Sequence, residues 1–234
     1  MRQHVHSIVL TGAVLMLPLA AAWGSDADTS AAASITTPAA ADALSDWVNA
    51  AVTQAQLQAG QVIIHSGFDA KQDRVNVDAA IRVLAGPQAI WPLITRCEYA
   101  ALLIPGLKGC KQLDSAPDGS WAVVEHDTKL SFLLPMLHSV FRADYHAPYR
   151  MDFHRLSGDM KSEAGTWLLQ PAPDGTFTTI EYRVALQPGA LVPHGLVRHL
   201  LNKQLPASLL ALRDHAERPA ERLSASIDDG TARD

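Results

Sequence analysis

Through the middle of the chain, apolar and polar residues alternate with a period of two. Val62 and Ile64, then Val75, Val77, Ala79, Ile81 and Val83, fall on one side of such a pattern, which predicts a strand that Gly86-Pro87 stops. Strand-like segments recur near 108–115, 120–129, 139–146, 149–157, 162–171 and 176–187. The turn signals between them are Pro117-Asp118-Gly119, Ala147-Pro148, Ser157-Gly158-Asp159 and Pro173-Asp174-Gly175. The period changes to that of a helix in three places. Leu44, Trp47, Val48, Ala51 and Ala55 mark a short amphipathic helix, with Asp42 or Ser45 as its cap. Residues 87–99 carry Ile90, Trp91, Ile94 and Tyr99 at helical spacing, and Pro105-Gly106 ends a second short piece. Residues 191–217 form a long helix whose stripe is Leu196, Leu200, Leu209 and Leu212, with Pro206 inside it.

The expected order is one strand, a helical pair, about six meandering strands and one long helix. Turn-linked strands make an antiparallel sheet and segregated helices make the class α+β. Such a sheet has one apolar face to cover, and the last helix is there to cover it. The register of one hairpin follows from parity alone. Phe141, Ala143 and Tyr145 alternate with Arg142, Asp144 and His146, and Met151 and Phe153 alternate with Arg150, Asp152 and His154. Directly paired residues share a face, so odd must pair with odd across a three-residue loop, Ala147-Pro148-Tyr149.

At the N-terminus, Arg2, an apolar run from Ile8 to Leu19 and the small residues Ala20 to Ala22 read as a signal peptide over 1–22. The run is short against the roughly 20 residues of a membrane span; an uncleaved anchor is the other reading. Residues 23–43 are rich in Ala, Ser, Thr and Asp and read as a disordered leader before the 44–59 helix. The folded domain is expected over 60–217, with a polar tail over 218–234. Loss of Arg2 leaves 18 basic against 24 acidic residues, a net charge of −6. No basic run counters that balance, which excludes nucleic acid as a partner. Two cysteines, Cys97 and Cys110, in an exported chain favour a disulfide over two free buried thiols.

The runs Ala-Ile-Trp-Pro-Leu-Ile (89–94) and Pro-Gly-Leu (105–107), followed by a strand, resemble the opening of START-like proteins. That superfamily, also called SRPBCC, spans polyketide cyclases and lipid-transport proteins and has the helix-grip fold. Gly158-Asp159, Gly165-Thr166-Trp167, Asp174-Gly175-Thr176 and the run 188–193 before the long helix add to the resemblance, which covers about 60–217. It implies a curved antiparallel sheet wrapped around the C-terminal helix, a short helical pair after the first strand, and a cavity between them for a hydrophobic ligand. It also implies that Cys97 and Cys110 brace the cavity rim. An exported, periplasmic monomer that binds a lipid, a sterol-like or a polyketide-like molecule is the expectation, with a cyclase or an envelope interaction protein as alternatives.

The candidate ligand contacts follow. Trp91 and Tyr99 come from the helical pair, and Leu196 and Leu200 from the long helix. Phe141, Tyr145, Met151, Phe153, Trp167 and Tyr182 form the inner aromatic and apolar set, with the parity of Trp167 open. Phe132, Leu134 and Met136 belong to the apolar segment 130–137, read either as a lid that transiently touches a membrane or as a turn folded on the core. The strand 121–129 leaves its own parity open. Either Val124, His126 and Thr128 face inward, making His126 the candidate polar anchor or acid/base, or Trp121, Val123, Glu125 and Asp127 do, making Glu125 that candidate. No metal site is expected, since the histidines are scattered, and no cofactor, since no phosphate-binding loop or nucleophile elbow occurs.

Overall fold

A computed structural model describes residues 43–129, 135–189 and 194–218; the side chains of residues 194, 196 and 200 lie outside that description. The expected signal peptide and leader, the tail beyond 218, and Phe132 and Leu134 of the apolar segment therefore also lie outside the described residues.

Eight strands form one antiparallel sheet in the order β1-β2-β8-β7-β6-β5-β4-β3. They are β1 (Ile63–Asp69), β2 (Arg74–Val83), β3 (Leu107–Ser115), β4 (Trp121–Thr128), β5 (Leu137–His146), β6 (Arg150–Gly158), β7 (Ser162–Pro171) and β8 (Thr178–Gln187). Between β2 and β3 stand α3 (Pro87–Thr95) and α4 (Cys97–Leu103), and α5 (His194–Ala216) closes the chain. The sheet curves around α5, the helix-grip arrangement. Two strands, not one, precede the helical pair. The break lies at Asp73, whose φ of 52° turns the chain between Asp69 and Arg74. The last strand also pairs with β2, so the meander closes back on the beginning of the sheet.

The core is the concave face. Val75, Val77, Ala79, Ile81 and Val83 of β2 are buried there with Ile180, Val184 and Leu186 of β8. From α5, Val197, Leu205, Leu209 and Leu212 pack against them, at the spacing of one helical face. A Leu, Ile or Val buried this way contributes about 1.5–3 kcal/mol, so this face supplies most of the fold's stability. The helical pair breaks at Arg96, which adopts an extended conformation, where periodicity alone placed one helix over 87–99.

The convex face carries the N-terminal helices. The 44–59 helix is two, α1 (Asp46–Asn49) and α2 (Ala51–Gln58), broken at Ala50. Val48 and Leu57 bury themselves against Ala80 of β2, with Leu44, Trp47 and Ile63 around them. Ala80 pairs with Glu181 of β8, whose side chain is 0% exposed. Both the backbone N–H and the hydroxyl of Ser45 donate to that carboxylate, at 2.8 and 2.5 Å, and the Arg183 guanidinium lies 3.4 Å from it. A buried carboxylate is tolerated only with such partners. Ser45 thus fastens the helices to the sheet through its bonds to Glu181, and makes no side-chain capping bond within α1.

The parity argument for the β5–β6 hairpin holds residue by residue. Tyr145 pairs with Met151, Ala143 with Phe153 and Asp144 with Asp152, across the loop 147–149. The outward residues offset one another in charge: Arg142 reaches Asp144 at 2.9 Å, and Arg150 reaches Asp152 at 2.6 Å.

Candidate functional site: an apolar cavity between sheet and helices

A cavity of about 330 Å³ lies between α3, α4, α5 and the concave face of β4 to β8. That volume falls within the size range of small-molecule sites. Its floor is a row of rings that crosses five strands. His126 of β4 meets Phe141 of β5 edge-on at 5.0 Å, and Phe141 meets Phe153 of β6 at 6.0 Å. Phe153 stacks on Tyr182 of β8 at 6.3 Å, and Tyr182 meets Trp167 of β7 at 4.5 Å. The strand pairing dictates this row: Met151 is opposite Trp167, Trp167 is opposite Tyr182, and Val124 is opposite Phe141, so each pair shares the inner face. The same pairing settles the parity of β4. Val124, His126 and Thr128 face the cavity, and Trp121 lies outside under the Arg142 guanidinium, 4.4 Å from the ring centre.

Gly165 makes room for this floor. It sits opposite Phe153, and the ring of Phe153 lies over it where a side chain would stand. The helices supply the roof. Cys97, Ala100 and Leu103 recur at every third position of α4 and reach the cavity together, and from α5 come Gln204, Leu205, Ser208 and Leu212. A disulfide joins Cys97 at the start of α4 to Cys110 of β3, with the Cα atoms 5.3 Å apart, and both residues border the cavity.

Of the residues singled out from the sequence, His126, Phe141, Tyr145, Met151, Phe153, Trp167 and Tyr182 come together around this space. Trp91 and Tyr99 do not line it. Leu93 and Ile94 occupy the cavity side of α3, and Trp91 packs edge-on against Tyr145, 5.8 Å away. Tyr99 falls off the line of Cys97, Ala100 and Leu103 and packs on the core instead. Met136 does not line it either. It is 46% exposed, and its strand neighbour Leu137 takes the inward direction. The first described residue of α5 to reach the cavity is Leu201, one position after Leu200 and five after Leu196, whose side chains lie outside the described residues.

The cavity also contains a group that the sequence did not single out, Glu163 of β7. The available signal was parity. Glu163, Gly165 and Trp167 alternate on the same face, so fixing any one of them inward fixes all three. The Ser139 hydroxyl donates to Glu163 Oε2 at 2.9 Å. Burial pushes the Glu163 carboxyl above its ordinary range, against the Ser139 hydrogen bond and the charge of Arg155, which pull it down. Burial, with the nearby charge of Glu163, also raises Tyr182, and burial raises Tyr145, so both phenols stay protonated. Burial lowers His126 to about 4 against the pull of Asp127. Its imidazole is neutral at ordinary pH. His126, Tyr145 and Tyr182 are therefore uncharged groups in a largely apolar lining, whereas His138, which also borders the cavity, is held above its ordinary range by its hydrogen bond to Asp127.

Among the described residues, no cluster of three or more His, Cys, Asp or Glu side chains is placed to hold a metal ion, and no helix is long and apolar enough to cross a membrane.

The family model for polyketide cyclase / dehydrase and lipid transport proteins matches residues 83–213. The chain belongs to this family. The matched span begins at the end of β2 and includes every strand and helix around the cavity. No curated protein is detectably similar in sequence. Among solved structures, a START superfamily protein from Mycobacterium smegmatis superposes with a TM-score of 0.53 at 19% identity, covering 61% of this chain and 97% of that one. A STAR-related lipid transfer protein from Xanthomonas axonopodis superposes with a TM-score of 0.57 at 14% identity, covering 67% of this chain and 94% of that one. At such identities these likenesses show the fold.

Proposed function

We propose that this protein binds and carries a hydrophobic small molecule of the lipid, sterol-like or polyketide-like kind in the cavity beneath α5, after export to the cell envelope. One observation carries the reading: an aromatic-floored hollow of about 330 Å³ remains between the concave face of the sheet and the helices. A packed interior leaves few voids larger than water, and a hollow of this size forgoes the contacts that side chains would make there. A guest restores them. Hiding 300 Å² of its apolar surface yields about 7 kcal/mol before ordering costs. The disulfide, the N-terminal apolar run and the family's lipid-transport members support the envelope setting.

A direct titration tests the binding. The neutral dye N-phenyl-1-naphthylamine should bind the purified domain one to one and gain fluorescence. Ala100→Phe, which places a ring into the cavity from α4, should abolish that signal while the fold is kept. Equal dye binding by the filled variant would refute the cavity as the site.

A second reading, a cyclase in the same cavity, is favoured by the presence of His126, Tyr145, Tyr182 and Glu163 on one wall system. Conversion of a reactive polyketide mimic, abolished by Tyr182→Phe with binding kept, would establish it over carriage.

A further inference from the structure

We infer that the cavity takes an uncharged ligand whose apolar body carries a hydrogen-bond donor such as a hydroxyl, and that Glu163 receives this donor. The inference rests on the cavity being a ligand site and names what that ligand must offer.

Polar side chains left without partners inside an apolar wall carry the argument. Ser139 occupies Glu163 Oε2, and no described residue donates to Oε1. The hydroxyls of Tyr145 and Tyr182 and the ring nitrogens of His126 likewise make no hydrogen bond with a described residue, although all three border the cavity. Native proteins pair nearly all buried polar groups, because an unpaired one loses its water without compensation. None of the four is sealed off: each is half-buried and open to the hollow, and the sealed polar atoms without a partner among the described residues are others, Nε of Arg74, Arg82 and Arg155 and Nδ1 of His215. An apolar guest that fills the hollow displaces the water that would serve these four groups, and must offer a partner in its place. Their chemistry is mixed. Two hydroxyls both give and accept, a neutral imidazole has one donor and one acceptor, and Glu163 in its ionised form only accepts.

The surroundings of Glu163 decide the charge. An anionic ligand, such as an ionised fatty acid, would bring a second negative charge to a carboxyl that burial already disfavours as an anion. A cationic ligand would meet Arg155, whose charge acts on Glu163 from the neighbouring strand. Phe153 pairs with Gly165; Arg155 lies two residues after the first, and Glu163 two before the second, so both fall on the inner face at the same end of the β6–β7 pair. Arg155 answers the charge that Glu163 carries when ionised, and His138, held above its ordinary range, also borders the cavity, so an ammonium meets no unanswered carboxylate at this end. A neutral donor fits both. Tyr182, next along the row of rings, is placed beside it, and His126 stands at the far end of the row as a second polar contact.

The test uses three probes that share one apolar body: 2-naphthol, 2-naphthoate and naphthalene, each displacing N-phenyl-1-naphthylamine at pH 8. The wild-type protein should bind 2-naphthol about tenfold to a hundredfold more tightly than naphthalene, the effect of a hydrogen bond to a charged acceptor. It should bind 2-naphthoate more weakly than naphthalene. Glu163→Gln should cut the advantage of 2-naphthol by about tenfold and restore binding of 2-naphthoate, whereas Ser139→Ala, which keeps the carboxylate, should preserve the order. If wild type binds all three alike, or Glu163→Gln leaves the order unchanged, water alone serves these groups and the inference is overturned, while the carrier reading stands. If neither the dye nor any probe binds, the carrier reading falls and takes the inference with it. Should Glu163→Gln fail to fold, the order shown by wild type and Ser139→Ala decides.

Discussion

Gly165→Ala is the perturbation whose cost the structure fixes most closely. A Cβ at this position would lie 2.8 Å from Cε1 of Phe153, and closer still to Cζ of the same ring and to the carbonyl oxygen of Arg183. Carbon atoms in contact prefer about 3.5–4.0 Å, so the ring, whose Cζ would lie closer than its Cε1, must retreat by roughly 1 Å or more. It can move only into the cavity. The Arg183 oxygen belongs to the backbone of β8, paired with β7 along its whole length, and moves only if the strands separate. Overpacking of this kind costs about 1–3 kcal/mol, and with backbone on one side the upper end applies, about 3 kcal/mol. For a domain of this size 1 kcal/mol lowers Tm by about 2–4 °C, so the expected fall is about 6–12 °C. Calorimetric melting of the purified variant measures it. The displaced ring should also weaken dye binding, since it narrows the space between β6 and α5. A loss under 0.5 kcal/mol with unchanged dye affinity would refute the claim that Gly165 exists to let Phe153 form the cavity floor.

Three further outcomes are expected. Reducing the Cys97–Cys110 bridge, or replacing both residues by Ala, should cost about 3 kcal/mol from the reopened loop of about 14 residues, read as a fall in Tm. It should also loosen the cavity wall, read as faster dye release. His126 is held near 4, below its value in the unfolded chain, so the unfolded chain binds the proton more readily. Stability is then full above pH 6.5 and falls as the pH drops toward 4. The loss is at most about 3 kcal/mol at about 1.4 kcal/mol per unit, and urea melts of His126→Gln should show a shallower loss over that window. Ser45→Ala removes one hydrogen bond to the buried Glu181 carboxylate and should cost about 1.5–3 kcal/mol, with amide exchange in α2 accelerating before that of the sheet.

Period-two alternation carried most of the sheet, because a one-residue slip in a half-buried strand would turn its apolar set to solvent. Tyr145, Met151 and Phe153 were placed by that rule alone. β4 resisted it, because Val123 and Val124 give each face an apolar residue; only pairing with Phe141 decides between them. Glu163 was invisible for a related reason. A lone carboxylate in a strand reads as a surface residue unless its in-phase neighbours are known to be buried. The break between β1 and β2 was missed because Asp69 to Asp73 contains no Gly or Pro, and Asp73 adopts the left-handed conformation that Asp tolerates better than most residues. Trp91 and Tyr99 were misassigned because helical spacing says which residues share a face, not which face meets the hollow.

The central claim is that the hollow under α5 exists to hold a guest. Native mass spectrometry of the protein, purified from its native host and then extracted with organic solvent, tests it most directly. The account predicts a population heavier than the polypeptide by one small-molecule mass, the excess vanishing on extraction and failing to appear in Ala100→Phe. A protein that arrives at its bare polypeptide mass, and takes up no apolar compound from an envelope lipid extract, would contradict it.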